Sequence, residues 1–206
     1  MREKTIDEFL TQLAARVPTP GGGATAALHA AQAAALIAMV GHYSTGEKYA
    51  AHADEIGRIV ADADELRAEA LLLAENDAAA FAAVADAFRL SKSTDDEKSA
   101  RSAAIAAALV GACAPPAEVI EAAGRLIELA EGLLPVGNRN VISDVAAAAE
   151  AVRAAATTAR VNIEINLGGI TDEESRRELR MATGRVDAIA ERAEKVTTAV
   201  RAEIRA

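Results

Sequence analysis

Tryptophan is absent from this chain, cysteine occurs once, and only Phe9, Phe81, Phe88, Tyr43 and Tyr49 carry aromatic rings. A single cysteine, Cys113, excludes an intrachain disulfide and a cysteine-built zinc site. Set in Ala112-Cys113-Ala114, it reads as a small buried hydrophobe, with a Cys–His nucleophile pair as the alternative. His29, His42 and His52 are too widely spaced for a His-x-x-x-His pair, so no metal is expected. Aromatic and β-branched runs are too scarce for a sheet. Basic side chains are outnumbered, 22 Lys and Arg against 31 Asp and Glu, for a net charge of -9. Nucleic acid is therefore not an expected partner, because phosphate contacts need a basic footprint.

One long stretch lacks charge altogether. From Val17 to Gly46 there is no Asp, Glu, Lys or Arg. A membrane span needs about 20 mainly apolar residues. The segment 24–40 is Ala-dominated, carries His29 and Gln32 and follows a Pro/Gly loop. Alanine is barely favoured in lipid, so a buried helix at the centre of a bundle is expected rather than a membrane partner.

What is present is alanine and helical periodicity. Of the 206 residues 51% are hydrophobic, enough for a real core, and alanine is the best helix former. The expectation is all-α: an elongated helical bundle with long Ala-rich helices, one domain over 1–206. Met1-Arg2-Glu3-Lys4 leads into a charged amphipathic segment rather than a secretion signal, so the expected compartment is cytoplasmic.

Thr5-Ile6-Asp7-Glu8 is a capping box opening a helix to about Val17, with Ile6, Phe9, Leu10 and Leu13 on one stripe. The 18–23 loop breaks it, and a buried helix follows from about Ala24 to Ser44. A very long helix is expected from about Ala50 to Phe88. Thr94-Asp95-Asp96-Glu97 caps the next one, which Pro115-Pro116 should interrupt, with a new helix from about Pro116 to Leu134. Another covers about Val141 to Leu167. Gly168-Gly169 ends it, and Thr171-Asp172-Glu173-Glu174 caps a final helix to the C-terminus.

Three segments carry unusual polar chemistry. Gly21-Gly22-Gly23 lacks the Gly-Lys-Ser/Thr ending of a nucleotide loop but exposes backbone N–H groups before a helix. A flexible turn and a surface for close approach by a ligand or second chain both fit. Asn138-Arg139-Asn140-Val141-Ile142-Ser143-Asp144 places Asn140 and Asp144 four apart on one helix face, with Asp144 introducing an apolar run. Asn162 and Asn166, also four apart, need partners across the bundle or in a ligand. Asn162 lies on the same side as Asp144, about 27 Å further along the axis.

Pro18-Thr19-Pro20-Gly21-Gly22-Gly23-Ala24, Lys48-Tyr49, Asp77 with Phe81, Thr94-Asp95-Asp96-Glu97-Lys98, Gly137 to Asp144 and Val161 to Asn166 together resemble, in order and over about residues 5 to 170, the cyclodeaminase/cyclohydrolase family. That family includes the cyclodeaminase domain of formiminotransferase-cyclodeaminase and the stand-alone methenyltetrahydrofolate cyclohydrolases. The resemblance implies an all-α homodimer that takes a tetrahydrofolate derivative, with the small-residue helix and glycine loop lining a pteridine pocket.

It further implies Asp144 as general base and Lys48 as proton donor or charge partner. Asn138 or Asn140 would orient the folate, and Gly21, Gly22 and Gly23 would hold the pteridine or the reacting water. Pro20, Tyr49, Asn162 and Asn166 complete the expected substrate-binding set. Lys48, Lys92, Arg101 and Arg139 are the candidate cations for the folate anion. The chain departs from the family pattern at Gly46-Glu47, where a basic cluster is expected, at Arg139 inside the Asn-x-Asn motif, and at Leu90-Ser91-Lys92 in place of Leu-Pro-Lys. The implied reaction is hydrolysis of 5,10-methenyltetrahydrofolate. Cyclodeamination of formiminotetrahydrofolate is the alternative, and a non-catalytic folate-binding or interaction bundle is the second.

Overall fold

A computed structural model of the chain describes residues 3–205, and among them there is no strand. Seven α-helices follow one another: α1 (Ile6–Leu13), α2 (Gly22–His42), α3 (Ala53–Arg89), α4 (Asp95–Val136), α5 (Ile142–Leu167), α6 (Glu173–Gly184) and α7 (Val186–Arg205). Short 3-10 turns, Glu47–His52 and Arg139–Val141, lead into α3 and α5. At 37 and 42 residues, α3 and α4 run for about 55 and 60 Å, which makes the bundle elongated.

The core helix is α2. Ala24, Ala26, Ala27, Ala30, Ala33, Ala34 and Ile37 have no exposed surface, because α3, α5 and α4 pack around it. Small side chains set the spacing, since interaxial distance follows the residues at the contact. Gly41 is the extreme case: a Cβ there would collide with the Val60 side chain of α3. By length and composition alone α2 and α4 are apolar enough to cross a membrane, yet α2 spends that apolarity inside the bundle.

Several boundaries differ from those expected. The capping box at Thr5 forms, with Thr5 N–H donating to Glu8 (2.7 Å) and Glu8 N–H to the Thr5 hydroxyl (3.2 Å). However, α1 stops at Leu13 rather than Val17, with Ala14 as its C-cap. Its apolar stripe is not buried: Ile6 is 80% and Leu10 53% exposed. The interruption expected at Pro115-Pro116 does not occur, and α4 runs through Pro115, Pro116 and Pro135. An interior proline costs about 3 kcal/mol. Beside the pair, Cys113, Val119 and Ile120 are buried to 1% exposure or less. Burying side chains such as Val119 and Ile120 contributes about 1.5–3 kcal/mol each, which offsets much of the break. The single final helix divides at Gly184, and its cap is Asp172 rather than Thr171, with Ser175 N–H donating to the Asp172 carboxylate at 2.8 Å.

Candidate functional site

The glycine run forms the first turn of α2, with Gly21 as its N-cap and the preceding Thr19–Pro20 peptide cis. A Cβ on Gly23 would overlap the carboxylate of Asp77 in α3. Gly23 is therefore what lets that carboxylate sit against the start of α2, where it accepts a hydrogen bond from the Ala24 backbone N–H. Burial pushes the Asp77 carboxyl above its ordinary range, and the Ala24 hydrogen bond opposes that shift without cancelling it. A half-buried acid facing a helix N-terminus can hold a proton or release one to a neighbour.

Asn162 of α5 completes this corner. Its amide lies 3.5–3.6 Å from where a Gly22 Cβ would be. Asn162 donates to the Thr158 carbonyl (2.8 Å) and Asn166 to the Asn162 carbonyl (3.1 Å), so both amides are anchored on their own helix. Asn166 also bonds the Cys113 thiol, which burial pushes up despite that contact. Cys113 is thus a buried, protonated thiol, as its apolar setting in the sequence implies. Gly21–Gly23, Asp77, Asn162 and Asn166 constitute one pole of the bundle.

The other expected residues gather at the opposite end of α2. The Ser44 hydroxyl donates to the Val40 carbonyl (2.6 Å) and accepts from Asn138 N–H (2.8 Å). The Asn138 side chain donates to the Tyr43 carbonyl (2.7 Å) and accepts from Asn140 N–H (3.0 Å). Its amide is committed to stapling the α4–α5 connection onto α2. Asn140 is exposed, and Asp144 is half-buried in the first turn of α5. Lys48 is exposed, its Nζ 5.4 Å from the centre of the Tyr49 ring. Tyr49 in turn lines a cavity of about 270 Å³ with Ser44, His42, Ile56 and Val60. Gly46, with φ +90, makes the bend that brings Lys48 and Tyr49 there, a left-handed conformation suited to glycine.

The two poles are the two ends of a 21-residue helix, about 30 Å apart. Within one chain the structure does not bring Asp144, Lys48, Tyr49, Asn138 and Asn140 together with Pro20, Gly21, Gly22, Gly23, Asn162 and Asn166. Proton transfer demands heavy atoms within about 3 Å. The candidate cations also separate. Arg139 is bound to Glu203 (2.6 Å) and the Leu134 carbonyl (3.0 Å), which ties α7 to the connection before α5. Arg101 donates to the Phe88 carbonyl (3.0 Å) and lies over the Phe88 ring, closing the α3–α4 corner. Lys92 is exposed. Asp77 is the functional candidate to which no role is assigned from the residues. Its signal is the spacing of a carboxylate three and four residues after the buried Ala74 and Leu73, on the core face of α3.

The family model for formiminotransferase-cyclodeaminase matches residues 5–184, a span that includes both poles. The chain is 36% identical over 194 residues to the methenyltetrahydrofolate cyclohydrolase of Methylorubrum extorquens, covering 92% of this chain and 93% of that protein. It is 33% identical over 172 residues to the formimidoyltransferase-cyclodeaminase of Mus musculus, which takes in 83% of this chain but only 32% of the mouse protein. The crystal structure of a formiminotetrahydrofolate cyclodeaminase from Thermotoga maritima, at 31% identity, has a TM-score of 0.83 and covers 97% of this chain and 98% of its own.

Proposed function

This chain belongs to the formiminotransferase-cyclodeaminase family, and from that premise we propose that it is a one-carbon enzyme acting on tetrahydrofolate derivatives, specifically a methenyltetrahydrofolate cyclohydrolase. The observation that carries the reading is Asp77, a carboxyl raised by burial and seated on the glycine turn in a chain matched almost end to end by a cyclohydrolase.

In this reaction water attacks the carbon that bridges N5 and N10, a base takes the water proton, and an acid protonates N5 as its bond to that carbon breaks. One proton is released overall, with 10-formyltetrahydrofolate as product. Asp144 is the base assigned from the motif, with Lys48 as its charge partner, and Asp77 supplies the acid. Two carboxyls in unlike surroundings suit such a division of labour. Gly21–Gly23, Pro20, Asn162 and Asn166 would border the pteridine, with Tyr49 and Asn140 on the other side. Asp77 and Asp144 stand at opposite ends of one protomer, so both serve one folate only in a homodimer, the assembly we propose.

The test is decay of the methenyltetrahydrofolate chromophore with wild type, Asp77→Asn and Asp144→Asn. Acceleration by wild type that each substitution reduces about 10²–10⁴-fold is expected of positioned proton transfer. The end-to-end match to the Thermotoga cyclodeaminase favours a second reading, ring closure of formiminotetrahydrofolate by attack of N10 with loss of ammonia. Ammonia release without chromophore decay would establish it. Folate that raises the melting temperature without either turnover would leave a binding bundle.

A further inference from the structure

Asn162 and Asn166 stand one turn apart on α5, and each spends its amide NH2 group on its own helix. Asn162 Nδ2 donates to the Thr158 carbonyl at 2.8 Å, and Asn166 Nδ2 to the Asn162 carbonyl at 3.1 Å. A carbonyl only accepts, so chemistry alone fixes which end of each amide meets the backbone. Asn166 is held twice. Its side chain also bonds the Cys113 thiol, which in turn donates to the Ile163 carbonyl at 4.0 Å.

What remains of each amide is its oxygen. Among the described residues no hydrogen bond reaches Asn162 Oδ1 or Asn166 Oδ1, and neither oxygen is shut away from solvent. Both residues are half-buried, so the pair offers acceptors, not donors, to whatever enters the corner. The corner also has an order. Asp77 lies against Gly23, Gly22 follows, Asn162 Oδ1 is 3.6 Å from the place of a Gly22 Cβ, and Asn166 is one turn beyond. A side chain at position 22 would stand against the Asn162 amide; glycine keeps it reachable.

A reduced pteridine carries along one edge, in order, N5, the 4-oxo group, N3–H and the 2-amino group. With the acid Asp77 at N5, the 4-oxo group falls beside Gly22 and Gly23, whose N–H groups have no partner within the helix. N3–H and the 2-amino group then come opposite the two amide oxygens. We infer that Asn162 and Asn166 read this edge as acceptors, so that the site selects a 2-amino pteridine over its 2-oxo counterpart. The inference rests on the tetrahydrofolate reading and adds to it the polarity of the two amides. In the 2-oxo ring a carbonyl replaces the amino group and meets an oxygen that the helix holds in place. One hydrogen bond is lost, and two acceptors face each other.

Calorimetric titration tests this without turnover. The probes are 5-formyltetrahydrofolate and the same compound with oxygen in place of its 2-amino group. Wild type should bind the amino compound about tenfold more tightly or better. In Asn162→Ala and Asn166→Ala that preference should fall toward parity. Their melting temperatures should stay close to that of wild type, because the Thr158 and Asn162 carbonyls keep their backbone partners within α5. In chromophore decay each variant should raise KM for methenyltetrahydrofolate about tenfold and change kcat little, the pattern of lost uniform binding.

Equal affinity of wild type for the two compounds would overturn the assignment, as would a preference that survives both substitutions. With wild-type chromophore decay intact, the enzyme reading would outlast either result. If wild type bound neither compound and turned over no folate, the tetrahydrofolate reading would fall and take the assignment with it.

Discussion

At Gly23 a single hydrogen atom in place of a side chain decides where an acid sits. Gly23→Ala would drive a methyl group into the Asp77 carboxylate. Such overpacking costs about 1–3 kcal/mol, so the variant should melt lower and lose turnover together, as paired melting and activity curves would show. Asp77 makes the complementary prediction. In the unfolded chain it titrates near the ordinary aspartate value of about 3.9, and burial raises it on folding. Between those values the native state holds more protons than the unfolded one, so stability declines as pH rises through that window and the deficit is complete above it. Asp77→Asn removes the deficit. It should therefore melt higher than wild type at neutral pH, with the gap closing as the pH falls toward the unfolded value, while turnover is lost. Higher stability bought with lost activity is the signature of a strained functional group. Arg139 carries the opposite expectation. Its partner Glu203 is partly exposed, and exposed pairs contribute about 0–1 kcal/mol. Arg139→Ala should leave both the melting temperature and the KM for folate nearly unchanged, since its charge is directed at α7 rather than at a ligand.

Among the elements, the ends of α2 and the connection before α5 depend on one buried hydroxyl. Ser44, at 2% exposure, is the one buried polar residue among those described, and it accepts the Asn138 N–H. Ser44→Ala would leave that donor without its acceptor, a loss of about 1–3 kcal/mol, measurable as a lower denaturant midpoint with an unchanged slope. Helix starts were legible wherever the signal is local. Thr5 and Thr94 form the capping boxes their sequences spell, with Thr94 accepting from Glu97 N–H at 3.2 Å. The periodicity after Ala50 does become a single long helix, α3. Pro115-Pro116 misleads because the local rule for proline knows nothing of the buried turns on either side. Gly184 gives no boundary signal because an exposed glycine within a periodic stretch is compatible with either a helix or its end. Asp77 carries no assigned role in the sequence because its neighbour Gly23 lies far away along the chain; only the packing of α3 on α2 unites them.

For the molecule as a whole, the decisive property is a core made of alanine. Ala30 and Ala33 have no exposed surface, and the helices around them approach closely enough that Gly41 admits no methyl group. Added volume has nowhere to go, and Ala30→Leu should lower stability by about 1–3 kcal/mol or more, read as an earlier thermal transition. The all-α architecture was legible from composition. The division of the candidate site into two poles was not, although the stretch from Asp144 to Asn162 already measures most of the separation along one helix.

The scarcity of aromatic rings has an optical consequence. With no tryptophan and only two tyrosines, the intrinsic ultraviolet emission of the chain comes from Tyr43 and Tyr49, and both belong to the Ser44 pole, Tyr43 at 59% exposure and Tyr49 on the cavity wall. The Asp77 pole is dark. A pteridine held by the glycine turn of an isolated chain would leave that emission untouched, whereas one held between two chains would quench it, so the unmodified protein reports by fluorescence which of its ends the ligand touches.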